Sequence, residues 1–126
     1  MSRHYAVWID HTEARVFHFT DDAWDESKVH APIGHVRQHT KGPDGHKEHP
    51  AELQHYYHDV ARALDAAEEV LVLGPGVAKL QFIQHAHKHD RALEPKIIGV
   101  ETVDHPTDKQ LVAYARKYFK TDVRVQ

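Results

Sequence analysis

Two segments near the start of the chain, residues 5–10 and 13–19, have the two-residue period of β-strands. Both alternating sets of residues 5–10 are mostly apolar, which predicts a strand covered on both faces. Because only two residues separate the segments, we expect a tight hairpin. The acidic residues 21–26 are predicted to form a turn. A third strand is then predicted over residues 28–36, at an edge or bulged position because it contains a proline and a glycine.

The next part of the chain moves from a polar loop to a helix and then to strand-like runs. Residues 38–49 are polar throughout and contain two turn-forming pairs, so they predict the longest exposed loop. Pro50 opens a helix in which apolar residues recur every three or four positions as far as Ala67. Two short apolar runs, residues 70–73 and 96–100, predict buried strands.

Two further helices are predicted, one before and one after the last strand. The first covers about residues 77–89, and its spacing is expected to bury Val77, Leu80, Ile83 and Ala86. The second begins after Thr107, which has capping-box spacing to Gln110.

The resulting element order is β-β-β-α-β-α-β-α. Strands that alternate with helices favour parallel pairing through right-handed crossovers, whereas the first three strands favour an antiparallel meander. The fold class is therefore predicted as α/β, with a mixed sheet covered by helices on both faces, which is the ribonuclease H-like arrangement. A length of 126 residues predicts one domain over residues 1–126.

Composition excludes several classes of protein. The chain has no cysteine, which rules out a disulfide scaffold, a thiolate zinc site and a cysteine nucleophile. Neither an apolar leader nor a membrane span is apparent, so the expected location is the cytoplasm, with no membrane partner. A formal charge of -3 argues against general polyanion binding but allows a local basic patch.

Histidine is unusually frequent, with 14 residues in 126. His85 and His89 are four residues apart and would share one helix face, as would His55 and His58, which are three apart. His85 and His89 are thus a candidate metal pair, although the sequence supplies no third ligand. The alternative is that they are ordinary surface histidines, and no resident cofactor is predicted.

Two stretches of the sequence carry a specific resemblance. Residues 6–10 (Ala-Val-Trp-Ile-Asp) followed by residues 13–17 (Glu-Ala-Arg-Val-Phe) resemble the opening hairpin of the central domain of archaeal and eukaryotic class I peptide-chain release factors and of Pelota. Residues 70–82 are similar to that domain's strand, glycine turn and helix, including a lysine after the turn and an aromatic residue three positions later. The resemblance spans about residues 5–119 and suggests a bacterial stand-alone version of this domain.

The resemblance implies a role in translation, but the sequence departs from the release factors at their functional tripeptide. Release factors carry Gly-Gly-Gln in the loop, where it organises water at the peptidyl-tRNA ester. Residues 41–46 here read Lys-Gly-Pro-Asp-Gly-His, and no Gly-Gly-Gln occurs anywhere in the chain. No catalytic residue is therefore predicted. Pelota-type proteins also lack the tripeptide and bind stalled or empty ribosomes, so the resemblance implies a non-enzymatic module whose partner is the ribosome or tRNA.

The polar loop is the candidate RNA-binding site. Residues 28–49 contain four lysines and arginines against two acidic residues. A second basic stretch lies in residues 109–124, and the two stretches together would present a phosphate-facing surface if they were adjacent. The alternative is a solvated loop and an ordinary charged helix face. The loop residues expected to contact phosphate are Arg37, Lys41, His46, Lys47 and His49.

A weaker candidate is an anion-binding turn formed by Gly74 and Gly76, with Lys79 nearby. The motif is neither a Walker A nor a dinucleotide fingerprint, and the alternative is a structural strand-to-helix turn. The release-factor family uses this turn structurally.

Two other functions stay open at the level of sequence. A metal-dependent hydrolase or nuclease of ribonuclease H-like fold would use Asp10 with Glu52 or Asp59, although no acidic residue ends the strand at residues 70–73. A homo-oligomeric scaffold would use exposed aromatic residues such as Trp24 or Tyr56.

Overall fold

The computed structural model describes residues 3–32 and 50–125. These residues form five strands and three helices, with a short 3-10 turn before the last strand. The strands are β1 (His4–Ile9), β2 (Glu13–Phe19), β3 (Trp24–His30), β4 (Glu69–Gly74) and β5 (Ile97–Thr102); the helices are α1 (Pro50–Ala63), α2 (Ala78–His89) and α3 (Asp108–Val125).

The strands form one mixed sheet in the order β3-β2-β1-β4-β5. β1 and β2 pair antiparallel, as do β2 and β3, whereas β4 runs parallel to both β1 and β5. The predicted element order and the α/β, ribonuclease H-like class are therefore confirmed. β1 and β4 lie in the middle of the sheet, and this is why their sequences are apolar on both faces.

One face of the sheet packs against α1 and α2. Its core contains the even-numbered residues of β4 and the odd-numbered residues of β1, of which Tyr5 is only partly buried. Tyr56 of α1, Phe82 of α2 and Leu64, which follows α1, are each no more than 1% exposed. The opposite face packs against α3, where the alternate residues of β1, β2 and β4 contact the helix through Leu111, Ala115 and other side chains.

The capping box predicted at the start of α3 is present. The backbone N–H of Thr107 donates to Gln110 Oε1 at 2.9 Å, and the backbone N–H of Gln110 donates to Thr107 Oγ1 at 3.2 Å. These reciprocal bonds satisfy two donors that an α-helix leaves free at its first turn.

The third strand begins earlier than predicted. Trp24 pairs with Phe19, so residues 24–26, predicted as part of a turn, belong to β3 together with Ser27. The turn itself is short because the backbone N–H of Thr20 donates to the carbonyl of Ala23 at 2.9 Å. Charged residues are tolerated in β3 because it is an edge strand whose side chains are mostly exposed. The strand ends at His30, and residues 33–36 lie outside the described part of the chain.

The buried face of α2 also differs from the prediction. Ala86 is buried and Ile83 packs against the core, as predicted, but Val77 and Leu80 are 54% and 51% exposed. Ala78 and Phe82 face the core in their place. The segment carries apolar residues on two sides, and the side with the large Phe82 ring is the one that packs on the sheet. Spacing alone does not distinguish two such sides.

Three smaller predictions were also wrong. α1 ends at Ala63 rather than near Ala67. β5 is an edge strand with half-exposed side chains, rather than a buried strand, because no strand follows it in the sheet. Tyr56, proposed as an exposed aromatic for self-association, is 1% exposed, whereas Trp24 is exposed at 38%.

In the described residues, no helix has the length and apolar character needed to cross a membrane.

Candidate functional site

The described residues that flank the polar loop lie at the end of the sheet where the parallel strands finish. The backbone N–H of Ala31, just after β3, donates to the carbonyl of Thr12 at 2.9 Å. In α1, the hydroxyl of Tyr56 donates to the carbonyl of Asp10 at 2.8 Å. α1 ends beside the start of β4, so it begins at the opposite end of the strands. This end of the sheet, where the parallel strands β1, β4 and β5 finish, is called the carboxyl edge below. Both described ends of the loop are thus held at the carboxyl edge.

The five loop residues predicted to bind RNA lie outside the described residues. Their role stays a prediction: Arg37, Lys41, His46, Lys47 and His49.

The basic residues of α3 are divided between the two edges of the sheet. Lys109 is exposed at the start of the helix, near the carboxyl edge. Arg116 instead lies at the opposite edge, where it donates to the carbonyls of Thr20 at 3.1 Å and Ala23 at 2.6 Å. Its guanidinium also sits 5.2 Å from the Phe19 ring centre. Arg116 therefore holds the β2–β3 turn, far from the described ends of the loop.

Asp10, the candidate first carboxylate of a nuclease site, caps the β1–β2 turn. Its Oδ1 accepts hydrogen bonds from the Thr12 N–H at 2.8 Å, the Thr12 hydroxyl at 2.9 Å and the Glu13 N–H at 2.9 Å. Partial burial acts to raise the pKa of Asp10, but the hydrogen bonds from Glu13 and Thr12 outweigh it and hold this pKa below its ordinary value. This arrangement is that of a turn-stabilising Asx residue.

The other carboxylates of the nuclease hypothesis do not join Asp10 in the described structure. Asp59 is exposed on α1, and the Glu52 side chain lies outside the described part. Within residues 3–32 and 50–125, Asp10 belongs to no group of three potential metal ligands.

The glycine turn after β4 is shaped by packing. A Cβ on Gly74 would lie 2.3 Å from the carbonyl oxygen of Ile9, so only glycine allows β1 to approach this closely. Lys79 is 6% exposed, and its amino group donates to the carbonyl of Gly76. The lysine thus closes the turn on itself, and anion binding at this turn stays a prediction.

The histidine pair gains partners that the sequence did not supply. His85 and His89 lie one helical turn apart, with ring centres separated by 4.9 Å. α1 brings His58 to this place, and Asp90 follows directly after α2. Asp90 Oδ2 is 3.0 Å from His85 Nε2 and 3.3 Å from His58 Nδ1. The sequence pairs His58 with His55 by spacing, but only the packing of α1 on α2 shows which histidines converge.

His85 is the most enclosed member of this cluster, with a side chain 6% exposed. Burial lowers the pKa of His85, although the hydrogen bond and charge of Asp90 act in the opposite direction. Burial therefore favours the neutral form of the ring, which is the form of histidine that binds metal ions. His85 Nδ1 is buried and has no hydrogen-bond partner among the described residues.

Sequence patterns also missed a charged network on the α3 face of the sheet. The Arg15 guanidinium stacks 4.5 Å from the Trp8 ring centre and donates to Asp108 Oδ1 at 2.7 Å. Burial and a hydrogen bond with Asp108 raise the pKa of Glu26. Arg15 stands in an ordinary strand pattern, so nothing in its immediate sequence indicates these contacts.

Comparison with known proteins gives matches in structure only. No protein-family model matches the chain, and no curated protein matches it.

Solved structures of two archaeal Pelota proteins and of a release factor are similar to this chain. Pelota of Archaeoglobus fulgidus matches with a TM-score of 0.64 and 14% identity over 91% of this chain. Pelota of Thermoplasma acidophilum matches with a TM-score of 0.62 and 19% identity over 90% of this chain. The archaeal translation termination factor aRF1 matches with a TM-score of 0.54 and 13% identity over 84% of this chain.

In each of these three structures the match covers 31% of the other protein, so the chain spans about a third of their length. Identities this low establish the fold and leave the function open. The chain is a domain with the Pelota- and release-factor-like fold.

Proposed function

We propose that this chain is a translation-associated module that binds the ribosome or tRNA without hydrolysing peptidyl-tRNA. The observation that carries the proposal is the fold, which matches one segment of the Pelota proteins and of a translation termination factor along most of this chain. A ribosomal partner would place the protein in the cytoplasm. The whole of residues 1–126 would act as one binding domain.

The polar loop is proposed as the RNA contact. It carries Arg37, Lys41 and Lys47, and both of its described ends are held at the carboxyl edge by Tyr56 and Ala31. Rigid attachment at both ends would present the loop in one direction, which favours a defined contact with a large partner. Lys109, exposed near the same edge, would add to the positive charge.

The proposal excludes catalysis of peptide release by the release-factor mechanism. That mechanism depends on the Gly-Gly-Gln tripeptide, which the chain lacks. Asp10 does not replace it, because its carboxylate already accepts three hydrogen bonds within the β1–β2 turn.

Co-sedimentation with ribosomes on sucrose gradients at two salt concentrations tests the proposal. We expect the protein to migrate with ribosomes at low salt and to dissociate as salt rises, since phosphate contacts release counterions. For about three contacts, affinity should fall roughly 20- to 40-fold between about 50 and 200 mM salt.

A charge-reversed loop variant, with Arg37→Glu, Lys41→Glu and Lys47→Glu, should lose binding. The matched control reverses Lys117 and Lys120, which are exposed on the far half of α3, and should bind as wild type does. Protein that stays at the top of both gradients would overturn the proposal. Equal loss in the two variants would instead indicate a general charge effect and would remove the loop from the mechanism.

A further inference from the structure

We propose that His58, His85 and Asp90 form a binding site for a divalent transition-metal ion, with zinc as the best match. Within the part of the chain that the structure describes, this is the only group of three potential ligands whose donor atoms all lie within 4.8 Å of one another. The site is separate from the polar loop, and the inference does not depend on the proposed role in translation.

The distances between donor atoms suit one small ion. Zinc binds nitrogen and oxygen at about 2.0–2.2 Å, so two ligands of a tetrahedral ion lie roughly 3.3–3.4 Å apart. Asp90 Oδ2 is 3.3 Å from His58 Nδ1 and 3.0 Å from His85 Nε2. These two distances are close to that value, and the third, between the two histidine nitrogens, is within 4.8 Å.

The negative charge of Asp90 also favours binding of a cation. Among the described residues, the ion-pair partners recorded for the Asp90 carboxylate are two histidines, and no lysine or arginine is among them. The His85 side chain is only 6% exposed, and its Nε2 lies 3.0 Å from Asp90 Oδ2. A carboxylate faced by two imidazole nitrogens is a ligand set for a divalent ion, which would replace the imidazole protons that now face Asp90.

The ligands stand on rigid parts of the fold. His85 lies in the interior of α2 beside Tyr57, with ring centres 6.1 Å apart. Asp90 is fixed at the end of the same helix, because its backbone N–H donates to the carbonyl of Ala86 at 2.9 Å. A metal ion would bind a nearly preformed site and would join α1 to α2.

The site has a route from solvent and room for a fourth ligand. The His58 side chain is 45% exposed, and an open groove of about 300 Å³ runs between the two helices beside His85 and His89. Water or the neighbouring His89 could take the fourth position. Two nitrogen ligands and one carboxylate favour zinc, nickel or cobalt over calcium and magnesium, which prefer oxygen ligands.

Metal titration of the untagged protein tests the inference. The protein is treated with EDTA, exchanged into chelator-free buffer and titrated with zinc chloride by calorimetry. The variants are His58→Ala and Asp90→Asn, and the control is His87→Ala, which removes a 61% exposed histidine from the same helix. We expect one zinc ion per chain for wild type and control, and at least a tenfold weaker affinity, by order of magnitude, for each ligand variant.

Thermal unfolding and cobalt spectra give independent measurements. Zinc should raise the Tm of wild type and control by several degrees but not that of the ligand variants, since a ligand that binds only the folded state stabilises it. Cobalt should give the visible absorption of a four-coordinate site in wild type and in the His87→Ala control, but not in His58→Ala or Asp90→Asn. Absence of saturable binding, or equal binding by all four proteins, would overturn the proposal and would assign metal capture to scattered surface histidines.

Discussion

Among the described helices, α1 and α2 cover one face of the sheet, whereas α3 covers the other. The first face buries polar atoms within the layer: the Tyr57 hydroxyl donates to Gln81 Oε1 at 3.0 Å, and the Tyr56 hydroxyl donates to the Asp10 carbonyl. Burial raises the pKa of Tyr57 to about 12. Two helices therefore enclose this face well enough that its polar groups must find partners inside the protein.

The α3 face uses charged side chains where a second helix would otherwise lie. Arg15 covers Trp8, and Arg116 covers Phe19, each with its guanidinium about 5 Å from the ring centre. Both arginines also donate hydrogen bonds: Arg15 to Asp108, near the carboxyl edge, and Arg116 to the carbonyl of Ala23, at the opposite end of the strands. The comparison indicates that a single helix suffices when arginine stems cover the aromatic residues it leaves uncovered.

The largest expected effect is a cavity on the two-helix face. Phe82→Ala should lower the free energy of unfolding by about 3–5 kcal/mol, because the ring is fully buried between α2 and the sheet. Phe17→Ala on the α3 face should lower the free energy of unfolding by about 1 kcal/mol less than Phe82→Ala does, because Trp24 can move into the space. Trp24 is 38% exposed, and its ring centre lies 5.8 Å from that of Phe17.

Urea unfolding monitored by circular dichroism measures both changes. Val77→Ala is the control, and this 54% exposed residue should change stability by less than about 0.5 kcal/mol. A larger loss for Phe17→Ala than for Phe82→Ala would show that the α3 face is the more rigidly packed of the two.

A smaller effect is expected when Arg15 is replaced by methionine. Methionine keeps the apolar stem over Trp8 but removes the hydrogen bonds to Asp108 and to the Pro106 carbonyl. We expect a loss of about 1.5–3 kcal/mol, because a partly buried carboxylate is left without its charged partner. Arg116→Met, whose bonds are exposed, should cost less than half as much, and equal losses in the urea measurement would contradict the distinction between the two arginines.

Local patterns predicted the order of elements, the first hairpin and the capping box, because each depends on residues within a few positions of one another. The start of β3 and the buried side of α2 depend instead on which surface the rest of the chain offers. Likewise, His58 and Asp90 are 32 residues apart and meet only because α1 packs on α2. The RNA-binding residues of the loop stay predictions for a different reason, since they lie outside the described residues.

The capping box of α3 should contribute about 1 kcal/mol. Thr107→Ala removes the hydroxyl that accepts from the Gln110 N–H, so the first turn of α3 loses a hydrogen-bond partner. Thr107→Ser keeps the hydroxyl and serves as the control. Urea unfolding should separate the two variants, and identical stabilities would mean that packing of Leu111 holds the helix start without the cap.

The smallest expected effect is a pH-dependent gain from Glu26→Gln. Burial comes first among the causes that raise the pKa of Glu26 above its ordinary 4.5, and the hydrogen bond with Asp108 comes second. A raised pKa in the folded state means that protonated Glu26 stabilises the fold below about pH 4.5, and that this contribution disappears as pH rises through the folded-state value. Glutamine keeps a donor for Asp108 at every pH. The variant should therefore match wild type near pH 4 and exceed it by a few tenths of a kcal/mol, on the order of 0.5, at pH 7. Tm measured by calorimetry across this range is the test, and a constant difference between the two proteins would show that the Glu26–Asp108 contact does not titrate with folding.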